Sequence, residues 1–147
     1  MSDPVVELRG VSKAFGEKVV LDSVDLTVRR GEVLVILGGS GTGKSVTLRH
    51  MNGLTHPDSG EVLVDGAPVS SLSEEELGPV RRKVGMLFQM GALFDSMTVF
   101  ENVAFALWEH TAMTESEVGA RVREVLGFVN LGADVMPLLP SSLSGGM

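Results

Sequence analysis

An α/β fold is predicted by three observations: a continuous apolar run, Val33-Leu34-Val35-Ile36-Leu37, that meets a glycine-rich loop; short alternating stretches on either side of it; and a change after Gln89 from strand-like to helix-like periodicity. The run has the length and the unbroken Val/Leu/Ile character of a central parallel strand covered on both faces. The alternating stretches predict an antiparallel β subdomain beside it, and the periodic stretch, from about Ala92 to Asn130, predicts a helical subdomain appended to the α/β core. With 147 residues, 44% of them hydrophobic, the chain suffices for one domain with a real core and not for two complete ones. The expected division is 1–89 for the β subdomain and loop core and 90–147 for the helical subdomain.

The loop itself, Gly38-Gly39-Ser40-Gly41-Thr42-Gly43-Lys44-Ser45, has the spacing G-x-x-x-x-G-K-S/T of a phosphate-binding P-loop. Glycines at 38, 39, 41 and 43 remove the Cβ atoms that would keep a polyphosphate from the backbone, so that successive N–H groups form an anion nest. Lys44 adds a positive charge for the β- and γ-phosphates. Ser45 offers a hydroxyl to Mg²⁺, and a helix starting here presents unpaired N–H groups to the same anion. An apolar strand before and a helix over Val46 to Asn52 supply the context that separates this motif from an ordinary glycine-rich turn. Gly53 is placed to cap that helix.

Taken in order, Val5 to Arg9 and Lys18 to Val28 read as antiparallel strands broken by Gly10, Gly16 and Asp22-Ser23. Pro57-Asp58-Ser59-Gly60 is a turn cluster, and Glu61 to Val64 a strand entering a turn at Asp65-Gly66. Ser73-x-x-Glu76 is a capping box flanked by Leu72 and Leu77, so a helix is expected from there, distorted or shortened by Gly78-Pro79. Val84 to Phe88 follows as a strand with Gln89 at its carboxyl end. Thr98-x-x-Glu101 and Thr114-x-x-Glu117 are two further capping boxes. The first opens a helix with Phe100, Val103, Ala104, Leu107 and Trp108 on one face, the second a helix with Val118, Val122, Val125 and Val129 on one face.

A net charge of −7 argues against a general nucleic-acid binder, since phosphate backbones are held by clustered Lys and Arg, and the basic clusters here are only Arg29-Arg30 and Arg81-Arg82-Lys83. The absence of cysteine rules out disulfides and thiolate metal sites. The amino terminus lacks the basic and apolar regions of a signal peptide, and no apolar run approaches the ~20 residues of a membrane-spanning helix, so a membrane role must pass through a partner.

Three features narrow the P-loop. Gln89 can ligate Mg²⁺ or orient a water, Leu143-Ser144-Gly145-Gly146-Met147 can open a helix and present a hydroxyl and N–H groups to a second phosphate, and Phe15 can stack on a base. Alone, each also reads as a surface glutamine, an ordinary loop or a core phenylalanine. In this order they resemble the nucleotide-binding subunits of ABC transporters, with an A-loop aromatic, Walker A, Q-loop and LSGGQ-type signature, over Val5 to Met147. The likeness is greatest to the ATPases of Mla/Mce-type phospholipid (toluene-tolerance) transporters, on Gly38 to Val46, on Leu87-Phe88-Gln89-Met90-Gly91-Ala92-Leu93-Phe94 and on Met147 in place of the usual glutamine.

The resemblance implies a P-loop NTPase core that binds ATP and Mg²⁺, with Phe15 on the adenine, Gly38 to Ser45 and Val46 around the phosphates, Ser45 and Gln89 at the metal, and Lys44 and Gln89 as catalytic groups. It also implies a homodimer, in which Ser144, Gly145 and Gly146 close the site of a second ATP-binding subunit, and an integral-membrane permease whose coupling helix docks beside Leu93, Phe94, Met97 and Phe100. The subunit would then sit at the cytoplasmic face of an inner membrane and power phospholipid transport. The alternatives are an amino-acid or ion importer and a non-catalytic nucleotide-binding remnant. Phe15 stands where many members have tyrosine, Val46 where many have a threonine, and Ser142 where a glutamate often precedes the signature. In the family the signature is followed by the Walker B aspartate, the catalytic glutamate and the switch histidine. These are not among the 147 residues, so the carboxyl-terminal half of the usual domain is expected to be absent and the chain by itself to be inactive. His50, His56 and His110 precede the signature and read as exposed or helix-end histidines.

Overall fold

The computed structural model describes residues 3–89 and 91–147 and gathers them into two compact units, 3–86 and 87–147. Met90, part of the motif after the expected strand, lies outside the described residues.

The first unit is built on an antiparallel sheet of β1 (Pro4–Phe15), β2 (Lys18–Arg29), β3 (Ser59–Val64) and β4 (Ala67–Pro68), in the order β2-β1-β3-β4. β1 and β2 form one long hairpin, from Pro4 opposite Arg29 to Phe15 opposite Lys18. The expected breaks at Gly10 and Asp22-Ser23 do not occur. Positive φ at Gly10 and Ser23 is absorbed as register shifts, and the Gly10 N–H is held by Asp25 Oδ1 at 2.7 Å, so the strands kink and continue. Asp65-Gly66, both at positive φ, make the two-residue turn from β3 to β4.

Helix α1 (Lys44–Met51) follows the glycine loop and packs with the sheet and α2 (Leu77–Lys83) around Leu8, Val11, Leu21, Met51, Val62 and Leu77. Gly53 ends α1 at φ +68°, with Leu54 N–H on Arg49 O at 2.9 Å; a Cβ there would lie 2.6 Å from Leu77 Cδ2, so only glycine fits. The capping box at Ser73 forms, with Glu76 Oε2 2.9 Å from the Ser73 N–H, yet the helix starts four residues later than expected. Pro79 has no N–H to give to a preceding turn and is tolerated only in a first turn, which displaces the helix start to Leu77. His50 is buried rather than exposed, at 1% accessibility, with Nδ1 2.7 Å from Val46 O and Nε2 without a partner among the described residues.

Two expected strands are not formed. Val33 to Leu37 and Val84 to Phe88 have extended or irregular backbone outside the sheet, and Val33 (88%), Leu37 (86%) and Leu87 (91%) stand in solvent. A strand is defined by its ladder, and none of the described residues pairs with either run. The described sheet is therefore wholly antiparallel.

The second unit contains α3 (Val99–His110) and α4 (Glu115–Phe128), packed together and joined by a short loop, and two single turns of 3₁₀-helix at Ala133–Val135 and Pro140–Ser142. Both capping boxes are complete: Glu101 reaches back to the Thr98 N–H at 2.7 Å, and Glu117 to the Thr114 N–H at 2.7 Å. Val99, Ala104, Val118, Val122, Leu126 and Val135 form the core. Val129 does not extend the buried face, because α4 stops at Phe128 and Leu126 takes the inner position; Trp108 is likewise half out, its ring edge-on to Phe100 at 6.0 Å. Leu143 packs on this core, and Ser144 to Met147 make a turn closed by Met147 N–H on Ser144 O at 3.0 Å.

Candidate functional site

The glycine loop and α1 are arranged for an anion by local geometry. Gly43, at φ +90°, is the residue before the first turn of α1, and a Cβ there would meet Leu21 Cδ2 at 2.9 Å and Val20 O at 3.0 Å, so the loop rests against β2 at a point open only to glycine. The first intrahelical bond is Thr47 N–H to Gly43 O at 2.8 Å, which leaves the N–H groups of the turn from Lys44 onward unpaired by the helix. Lys44 Nζ curls back over the loop, donating to Gly38 O at 2.8 Å and Gly39 O at 2.5 Å. Thr42 Oγ1 donates to Gly39 O at 2.9 Å, so both side chains brace the same turn of backbone. Ser45 is exposed.

A cleft of about 300 Å³ opens here, with Gly41 to Val46 along one wall and Phe15, Lys18 and Val20 along the other. Gly38, Gly39 and Ser40 lie in the same loop outside that lining. Phe15 is the last residue of β1, half exposed at 53%, and the cleft runs from its ring to the amino end of α1. Such a cleft offers N–H donors, a lysine and a hydroxyl at one end and an aromatic face at the other, the chemistry of a nucleotide with a polyphosphate tail. Gln89 and Ser144, Gly145 and Gly146 belong to the second unit, where Gln89 stands exposed in a turn and the other three are exposed in the terminal turn.

Lys18 and Val20 are cleft residues that sequence reasoning did not single out. Their signal is the hairpin register, since Phe15 pairs with Lys18 across a two-residue turn and Val20 lies on the same strand two residues on. Two more residues hold Phe15 from behind. Asp58 Oδ1 accepts from Lys13 Nζ at 2.6 Å and Oδ2 from the Ala14 N–H at 2.7 Å, and the Lys13 hydrogen bond, then that of Ala14, holds the Asp58 carboxyl below its usual range.

The sequence profile of the family described as ABC transporter matches residues 21–147. The chain is 47% identical over 145 residues to the methionine import ATP-binding protein MetN of Rhizobium johnstonii, covering 99% of this chain and 40% of that protein. It is 43% identical over 143 residues to the intermembrane phospholipid transport system ATP-binding protein MlaF of Escherichia coli, covering 97% of this chain and 53% of that one. The likeness to MlaF is thus no closer than that to MetN. Among solved structures, a dimeric ATP-binding cassette in a post-hydrolysis state, bound to ADP and Pi, superposes with a TM-score of 0.86 at 35% identity, over 95% of this chain and 63% of that one. The chain spans about half or less of the length of these two curated relatives. The P-loop core, the antiparallel sheet beside it and the helical unit are those of an ATP-binding cassette, and the chain belongs to the ABC transporter family.

Proposed function

We propose that this chain carries the nucleotide-binding elements of an ABC transporter ATPase subunit that powers phospholipid transport at the cytoplasmic face of an inner membrane. The observation that carries the reading is the single cleft shared by the glycine loop and the Phe15 ring. In it Phe15 stacks on the adenine of ATP, and the N–H groups of Gly41 to Gly43 and of the first turn of α1 face its phosphates, with Gly38, Gly39 and Ser40 completing the loop around them. Lys44 leaves the carbonyls of Gly38 and Gly39 to reach the β- and γ-phosphates. Ser45 through its hydroxyl and Gln89 through its carboxamide would hold Mg²⁺, which would supply positive charge against the phosphates, and Gln89 would also orient water. Val46 lines the α-phosphate side without a hydroxyl to donate.

Ser144, Gly145 and Gly146 close the nucleotide of a second identical subunit, a reading supported by the dimeric relative. A permease supplies the membrane path, a reading supported by membership of the ABC transporter family. The phospholipid cargo is supported by the likeness to MlaF; the likeness to MetN favours, as the second reading, an importer of an amino acid. A division of labour near residue 89 assigns nucleotide contacts to the first part and the signature to the second. The 147 residues by themselves bind nucleotide without turning it over.

Titration with Mg-ATP tests the site. A charge-assisted hydrogen bond contributes about 1.5 to 3 kcal/mol, so Lys44→Ala should weaken binding roughly ten- to a hundredfold. Indistinguishable affinities for the two proteins would sink the assignment.

A further inference from the structure

We propose that Lys13 and Asp58 are positioning residues for the Phe15 ring and, through it, set a preference for purine over pyrimidine nucleotides; this rests on the nucleotide-site reading above. Phe15 ends a strand, beside a two-residue turn, with half its surface in solvent, so the hairpin alone does not fix its ring. What fixes the strand end is the loop between α1 and β3. Asp58 grips three consecutive residues of β1: its N–H donates to Ser12 O at 2.9 Å, its Oδ1 accepts from Lys13 and its Oδ2 from the Ala14 N–H.

Lys13 is unusual for a lysine on an edge of the molecule, since only 17% of its side chain is accessible. Held by Asp58, its Nζ sits over the Phe15 ring, 5.6 Å from the centroid. Lys13 is not among the residues that line the cleft, whereas Phe15 is. The cation therefore acts on the ring and not directly on a bound ligand. A cation against an aromatic face draws π-density toward itself, and a ring so polarised stacks better on an electron-rich, extended base than on a small one. The phosphate end of the cleft is untouched by this pair. Lys13 and Asp58 thus bear on the part of the affinity that the base contributes.

The test compares Mg-ATP, Mg-UTP and Mg-tripolyphosphate binding to the chain. Lys13→Met, which keeps the packing of the stem and removes the cation, should lower the ratio of ATP to tripolyphosphate affinity about two- to fivefold, the size of an exposed to partly desolvated cation–π contact, and lower the ATP to UTP ratio in step. Asp58→Asn, which keeps an acceptor for Ala14, should shift both ratios the same way, and Lys13→Arg should retain the wild-type ratios. In a Phe15→Ala background, Lys13→Met should have no further effect, because the cation acts only through the ring. Ratios unmoved by Lys13→Met and Asp58→Asn, or a fall of equal size with and without Phe15, overturn the proposal. A wild-type chain that binds tripolyphosphate as tightly as ATP also overturns it while leaving the phosphate site standing. Failure to bind either overturns both.

Discussion

Leu8, Val11 and Leu21 lie on a hairpin with neighbours across the strand and are almost wholly buried, whereas Val33, Leu34, Val35 and Leu37, as apolar and just beyond the end of that hairpin, face solvent. Both stretches have the composition of strands. What separates them is a partner: the β1–β2 ladder closes through a two-residue turn, so its pairing is local, while the run before the glycine loop has no pairing segment among the described residues. Apolar character makes burial favourable, but the ladder that permits burial comes from elsewhere in the chain or from another chain. An exposed run of this kind is a candidate for association.

The largest effect that sharpens this contrast is in the core. Leu8→Ala, at 2% accessibility, should cost about 2 to 5 kcal/mol in urea denaturation. Val35→Ser, at 68%, should change stability by no more than about 0.5 kcal/mol and reduce aggregation in light scattering. If the two were equally destabilising, Val35 would be a buried strand residue after all.

A second pair of exposed side chains extends the comparison to a partner. Leu93 and Phe94 stand 46% and 51% accessible, Phe94 resting on Phe105 at 5.2 Å, in the loop proposed to receive the permease. Each would gain about 1.5 to 3 kcal/mol on full burial. Replacing both by serine in a subunit extended to the length of its relatives should cut permease capture in a pull-down and spare ATP binding. Unchanged capture would place docking elsewhere.

Smaller again are the effects at elements whose partners are a few residues away. Thr98→Ala and Thr114→Ala should each cost about 0.5 to 2 kcal/mol in thermal or urea unfolding, and should do so regardless of any partner chain. A loss well below that range would mean that helix packing, not the cap, sets where α3 and α4 begin.

The smallest and most diffuse effect is acid sensitivity. The backbone N–H and then the hydroxyl of Thr98 hold Glu101 below its usual range, Thr114 does the same for Glu117, and Ser73 for Glu76. Groups with lowered values in the fold contribute stability that is present above the ordinary carboxylate range, near pH 4, and lost as pH falls through their lowered values. The urea midpoint should therefore decline below about pH 4.5, and Glu101→Gln with Glu117→Gln should flatten that decline. An unaltered slope would show that the caps do not couple to protonation.

What sequence alone determined is what neighbours in the chain decide. The two capping boxes at Thr98 and Thr114, the Asp65-Gly66 turn, the Gly53 cap and the glycine loop with Lys44 and Ser45 all bond within about six residues of themselves, so residue order suffices to specify them. Tertiary structure alone decided the rest. Whether Val33 to Leu37 and Val84 to Phe88 are strands depends on a ladder with distant residues. His50 is buried because the packing around α1 covers it. The Lys13, Asp58 and Phe15 cluster joins residues 45 positions apart in the chain, a coincidence that only the fold of β1 against the loop before β3 creates.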